Sequence, residues 1–364
     1  MKLSLSKEET LVNLGNSILK YYGCKTFHQT FPYVDKILEE HKNKKVCFIL
    51  LDAFGKNVIE TYKEYCPFIY KNICKTFYSI FPPTTVAATN GVLLAKYPIE
   101  TGYVGWSQYF DKYNDIIDVF PSKRSITRED IIPSITLDVL NYKNIIDYIN
   151  ETGVYKAHQL MGFDFKDGEH YDYDALFNEA NNSLELFDFT YLYSSEPDHS
   201  LHENGLNSDL IRNMISDLDK LVEKLVTSNK DYLFLLFADH GMVEIDNIYI
   251  EDYPELAASL EIQFPLIEGR FAGFFVKNHK KFIEAYNKYF KEDFLLYTKE
   301  QLLKENILGY AEKANKLALD TIPDYVLISI SRKSFAKKKE PDPLVANHAG
   351  GTLEERELYL VRFN

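Results

Sequence analysis

Asp239 and His240 stand side by side in the segment FADHGM. Both types bind divalent cations, and the glycine that follows lets the backbone turn sharply beside them. The same two types recur in EPDHSLH, where Asp198 and His202 are four residues apart and would share one face of a helical turn, with His199 pointing elsewhere. His348 lies in NHAGG, whose two glycines permit close backbone approach, although a histidine there also serves as an ordinary structural hydrogen-bonder. Asp52 ends the apolar run KVCFILL, a position from which a carboxylate caps a turn as readily as it binds a metal. Each residue taken singly has a structural reading. Taken jointly, in a chain with 9 histidines, Asp and His at strand ends suit borderline ions such as zinc. Two such ions a few ångströms apart clamp the attacking and leaving oxygens of a phosphoryl group.

A nucleophile for such a site is available in FPPTTVAATNGVLLA. The two prolines hold an extended approach, Thr84 and Thr85 follow, and VAATNGVLLA reads as a helix whose N-terminus would face an anion. A threonine hydroxyl attacks only when a metal or base activates it, so this reading depends on the metal-binding residues lying close by. The alternative is that Thr84 simply caps the helix.

These residues need strands to carry them. KVCFILL (45–51), FDFTYLYSSEPD (187–198) and DYLFLLFADHG (231–241) are each an apolar run ending in an acidic residue, the pattern of a strand buried on both faces. Helical periodicity over 8–23, 34–43 and 206–228 alternates with them. The expected fold is therefore α/β, a mainly parallel central sheet with helices on both faces, with the acidic residues at the carboxyl edge where ligands collect. Residues 271–310 read as a β-α-β-α unit and YVLISIS as a further strand, giving an inserted α+β subdomain over 251–340 within a core formed by 1–250 and 341–364. SRKSFAKKKEPDP (331–343) reads as a solvated basic loop. In LIEGRF, Arg270 could reach a phosphate bidentately or pair with Glu268 on the surface.

Composition limits the partners. Lys+Arg 41 against Asp+Glu 54 leaves a net charge of −13 over 364 residues, which argues against a nucleic-acid duplex as a bulk partner. The N-terminal segment has no signal-peptide core, and no uncharged run reaches the roughly 20 residues that span a bilayer. No membrane partner and a soluble, cytoplasmic protein are expected, with Cys24, Cys47, Cys66 and Cys74 reduced and structural.

Asp52 after its strand, FPPTT with AKYPIETGYVGW, then EPDHSLH, ADHGM and NHAGG, in that order, resemble the alkaline phosphatase superfamily, and within it the type I phosphodiesterase and nucleotide pyrophosphatase branch. The resemblance implies an alkaline phosphatase-like fold and a threonine nucleophile at Thr85. It also implies two divalent metal ions, usually Zn2+, with Mn2+ in mutase relatives. Asp52, Thr85, Asp239 and His240 would surround one ion; Asp198, His202 and His348 would hold the other. Trp106 stands where many members place an asparagine that holds a phosphoryl oxygen, and its single indole N–H makes it a substrate-binding candidate. The implied activity is hydrolysis of a small phosphate-containing substrate, a phosphodiester or nucleotide pyrophosphate first, with phosphomonoesters and phosphonates as alternatives within the superfamily. A sulfatase is disfavoured, because no Cys or Ser has the Pro and Arg spacing of its modified nucleophile. The alternative from a different class is an inactive metal-binding protein, though a structural zinc site is a closed four-ligand set and this one looks open.

Overall fold

The computed structural model describes residue 3 and residues 5–167, 170–339 and 341–364. Its centre is a six-stranded sheet in the order Ile73–Tyr78, Glu357–Phe363, Tyr232–Phe237, Lys45–Leu51, Phe189–Ser194, Ala157–Met161. Lys45–Leu51 pairs in parallel with Tyr232–Phe237 on one side and Phe189–Ser194 on the other. Ala157–Met161 continues the parallel set. The C-terminal strand, however, runs antiparallel to both of its neighbours, so the sheet is mixed. Hydrophobic patterning marks which residues are buried but not which way a strand runs, so the sheet expected to be mainly parallel is found mixed, with this one strand running against its neighbours.

Every residue from Val46 to Leu51, from Phe189 to Ser194 and from Tyr232 to Phe237 is buried, so these three strands are covered on both faces. Phe48 meets Phe189 and Phe237 edge to face across the sheet, with ring centroids 5.3 and 5.2 Å away. Two groups of helices do the covering. Leu11–Tyr21 packs on Pro32–Glu40, Thr85–Leu93 and Ile145–Glu151, while the long helix Asp209–Ser228 packs on Tyr173–Ser183 and Pro67–Lys71.

A second sheet of seven strands is antiparallel throughout, in the order Phe294–Thr298, Tyr325–Ser329, Phe271–Phe274, Leu266–Ile267, Ser107–Phe110, Asp115–Asp118, Lys123–Arg124. The elements expected over 271–310 are present, with a helix at His279–Tyr289 and another at Lys299–Lys304. The strands of 251–340 extend through Ile267, which pairs with Ser107, onto a hairpin from the first third of the chain. That junction places the segment after Gly105 against the segment before Arg270, beside the start of the helix Thr85–Leu93. Among the described residues, no helix is long and apolar enough to cross a membrane.

Candidate active site

Asp52 and Asp239 leave adjacent parallel strands at their carboxyl ends, so their side chains emerge at one edge of the sheet. The loops behind them approach closely: a Cβ on Gly55 would lie 2.7 Å from the Gly241 Cα, and one on Gly241 would lie 2.1 Å from the Glu354 carbonyl oxygen. Only glycine fits at these crossings. Asp198 and His202 share one face of the short helix Asp198–Asn204, with Nε2 of His202 3.4 Å from Oδ2 of Asp198. His199 turns away and packs edge-on against Tyr171.

Thr85 opens the helix Thr85–Leu93, and its Oγ1 lies 3.2 Å from Nε2 of His240 and 3.4 Å from Oδ1 of Asp52. Thr84 occupies the N-cap position but makes no cap bond; its hydroxyl is donated instead to Oε1 of Glu268, at 2.6 Å. His240 Nε2 is also 3.3 Å from Asp52 Oδ1 and 3.5 Å from Asp239 Oδ2. His348 Nε2 is 3.7 Å from Asp198 Oδ1. The structure therefore gathers Asp52, Thr85, Asp198, His202, Asp239, His240 and His348 into one cluster.

Two subsets have ligand atoms all within 4.8 Å of one another: Asp52, Asp239 and His240, and Asp198, His240 and His348. They overlap at His240, and His202 adjoins the second through Asp198. The three imidazoles are oriented alike, each directing Nδ1 at a backbone carbonyl: His202 at Ala346 (2.8 Å), His240 at Gly241 (3.1 Å) and His348 at Pro83 (3.3 Å). That leaves every Nε2 facing the carboxylates, the arrangement in which a second contact orients a metal-binding histidine.

The donor set fits divalent cations. Asp239 Oδ1 accepts from the Ala53 and His240 N–H groups, but Asp239 Oδ2 and Asp198 Oδ1 are buried and accept from no described residue. Buried anionic oxygens without donors are costly unless a cation answers them. Burial, then the charges of Asp239 and Asp198, push the Asp52 carboxyl well above its ordinary range. Burial likewise raises Asp239, against the opposing pull of His240. Burial alone would lower the His202 imidazole, but the Asp198 carboxylate overrides it and holds the group at about 9. His348 is pushed well below its usual value by burial, with His240 adding to the effect, which keeps its Nε2 lone pair free. Three carboxylates in one buried pocket, with only histidines to neutralise them, make a site for positive charge.

A family described as type I phosphodiesterase / nucleotide pyrophosphatase matches residues 46–352, which takes in every residue of this cluster. The chain belongs to that family. It is accordingly a phosphoric ester hydrolase. Solved structures similar to it include murine ectonucleotide pyrophosphatase / phosphodiesterase 5, free and as an inactive form in complex with AMP. Each matches at 16% identity with a TM-score of 0.63, covering 87% of both chains. The human protein of the same name matches at 16% identity and TM-score 0.63 over 88% of both chains. These likenesses establish the α/β fold. No curated protein matches the chain.

Trp106 adjoins the cluster through Glu268. Its indole lies edge-on to Phe120, 6.2 Å between centroids, and is 36% exposed, while its main-chain N–H is donated to Glu268 Oε1 at 2.8 Å. Arg270 pairs with Glu355 rather than with Glu268. It is fully buried and the pair is bidentate, with Nε to Oε1 at 2.7 Å and Nη2 to Oε2 at 2.9 Å. The basic loop is mostly solvated, with Arg332 and Lys339 in surface pairs, but Lys337 reaches the buried Asp118.

Sequence reasoning missed Tyr193, whose hydroxyl donates to Asp52 Oδ2. The available signal was a phenol in a strand buried on both faces, one strand over from the Asp52 strand, where its O–H must find a partner. Three non-glycine residues at the site have left-handed backbones: Ala53 (φ 58) after Asp52, Ala349 (φ 82) after His348 and Ile267 (φ 72) before Glu268. Such conformations cost on the order of 1–3 kcal/mol each and cluster where a side chain must be aimed.

Proposed function

We propose that this chain hydrolyses phosphodiesters or nucleotide pyrophosphates with Thr85 as nucleophile and two divalent metal ions, zinc in the first place and manganese in the second. Asp52, Thr85, Asp239 and His240 would hold one ion, and Asp198, His202 and His348 the other. Bound there, the ions would lower the pKa of a coordinated hydroxyl and neutralise charge developing on phosphoryl oxygens. The observation that carries this reading is the buried Thr85 hydroxyl, held against His240 and Asp52 at the first position of a helix.

Asp52 Oδ1 accepts the Thr85 hydroxyl, which orients the oxygen lone pairs toward an incoming phosphorus. The N-terminus of the helix Thr85–Leu93 presents its dipole to the phosphoryl oxygens. Attack by Thr85 Oγ, its hydroxyl proton released to solvent, forms a phosphothreonine and expels the alkoxide or phosphate leaving group, the alkoxide taking up a proton from water. Water then displaces Thr85, and two in-line inversions give net retention at phosphorus. The Trp106 indole N–H makes no hydrogen bond to a described residue, which leaves it available to the substrate as a donor. All four cysteines are free, which supports a reducing, cytoplasmic setting.

The test is a panel of nucleotide diesters, pyrophosphates, monoesters and phosphonates with zinc or manganese, run on the parent protein and on Thr85→Ala. Cleavage of diesters or pyrophosphates by the parent, lost in Thr85→Ala while the fold is retained, is the expected result. A protein that binds two ions and cleaves nothing would return the reading to a metal-binding protein without turnover.

A further inference from the structure

Glu268 is delivered to the nucleophile by an unusual local construction. Ile267, a β-branched residue, takes φ 72 immediately before it. Gly105 leaves the room it needs: a Cβ there would lie 2.5 Å from Ile267 Cγ2 and 3.2 Å from Glu268 Cγ. The metal-ligand candidates Asp52 and His348 have the same kind of left-handed neighbour, in Ala53 and Ala349. Strain of this kind marks a side chain whose placement is used.

The two carboxylate oxygens have different surroundings. Oε1 accepts from the Thr84 hydroxyl and the Trp106 N–H; burial raises the carboxyl above its ordinary range, and these two donors pull against it toward the ionised form. Oε2 accepts from no described residue, and the residue is partly exposed. Oε1 is held by Thr84, the residue immediately before Thr85 at the start of the helix, which keeps the carboxylate next to the nucleophile. Lys337 and His202 are charged groups that act on it.

We propose that Glu268 is a specificity-determining residue whose free carboxylate oxygen stands beside the phosphoryl position at Thr85 and excludes a doubly charged phosphoryl group, restricting the enzyme to monoanionic phosphodiesters. The inference rests on the reading of Thr85 as nucleophile. A phosphodiester fills that position with a neutral, esterified oxygen, whereas a monoester presents a second anionic oxygen to a carboxylate, and like charges at that range are unfavourable. The two charges of LIEGRF are thus separated: the carboxylate binds Thr84 and Trp106, and the guanidinium is buried against Glu355.

Glu268→Gln is the informative variant, because the amide keeps an acceptor for Thr84 and Trp106 while the charged oxygen becomes a donor. With metal-loaded protein, kcat/KM is measured for bis-p-nitrophenyl phosphate and for p-nitrophenyl phosphate. Binding of inorganic phosphate, mostly dianionic at about pH 8, is measured by calorimetry. The expected result is a rise of about tenfold or more in the monoester-to-diester ratio and phosphate binding tighter by a similar factor. An unchanged ratio, or parallel loss of both activities, overturns the proposal while leaving the hydrolase reading intact. Absence of cleavage by the parent enzyme overturns both. Should Glu268→Gln not fold, the parent protein supplies the test by itself. It is expected to bind dimethyl phosphate, a monoanion, more tightly than the phosphate dianion, and the reverse order overturns the proposal.

Discussion

The imidazoles of His240 and His348 stack with ring centroids 3.7 Å apart and planes 23° from parallel. One comes from the end of a central strand and the other from the loop before the C-terminal strand, and together they form a wall between two sets of carboxylates. His240 Nε2 faces Asp52 and Asp239, while His348 Nε2 faces Asp198. Two stacked imidazoles cannot both carry a proton without strong repulsion, so the wall is suited to offering lone pairs rather than charge.

His348→Ala is therefore expected to remove about one equivalent of metal, from the Asp198 and His202 side, and to leave the ion beside Thr85 in place. Elemental analysis after gel filtration reads this directly. Equal loss of both ions, or loss of neither, would contradict the division of ligands.

Tyr193→Phe isolates a positioning contact. The phenol donates to Asp52 Oδ2, leaving Oδ1 for Thr85 and His240. Removing it frees the carboxylate to rotate, and losses of this kind typically weaken metal affinity about 10–100-fold. Competition titration against a chromogenic chelator should show the weakening, and urea denaturation of the metal-free protein should show a loss on the order of 1–3 kcal/mol, because Asp52 Oδ2 loses a buried donor.

The residues legible in the sequence were those whose position follows from local pattern. An apolar run ending in an acid places that acid at a strand edge; Asp52 and Asp239 are found there, while Asp198 opens the short helix that follows its strand. Four-residue spacing placed His202 beside Asp198. What was not legible depends on pairing across long stretches of chain. Glu268 meets Thr84 across 184 residues and Arg270 meets Glu355 across 85, and neither contact leaves a periodicity. The hairpin Ser107–Asp118 joins the strands of 251–340 for the same kind of reason, because strand edges do not name their partners. The antiparallel direction of Glu357–Phe363 is invisible because alternation reads the same in both senses.

Arg270→Met should cost about 3–5 kcal/mol in chemical denaturation, as expected when one member of a buried ion pair is deleted. Glu355 accepts from Arg270, from the Gly350 N–H at 2.6 Å and from Thr352 Oγ1 at 2.8 Å, so the pair fixes the loop that carries His348. Arg270→Met with Glu355→Leu removes both charges but leaves the buried Gly350 N–H without its acceptor. The double variant is expected to recover only part of the loss, by an amount short of full recovery on the order of 1–3 kcal/mol. Full recovery would mean that the carboxylate serves the guanidinium alone.

Glu196 gives a pH dependence with a definite sign. It is buried, and burial raises its carboxyl from 4.5 to about 7 against the hydrogen bonds from the Ser200 N–H and Oγ, with the charge of Asp198 adding to the rise. A carboxyl raised in the folded state binds its proton more tightly there than in the unfolded chain. Its contribution to stability is therefore fully present below the unfolded pKa, and it is lost as pH rises through about 7. In Glu196→Gln the neutral amide imitates the protonated acid at every pH. In metal-free protein, held so by a chelator, urea denaturation should find the variant close to the parent near pH 4–5. By about pH 8 the variant should be relatively more stable by roughly 2–3 kcal/mol. A difference that stays flat across this window would show that Glu196 titrates as an ordinary exposed carboxylate.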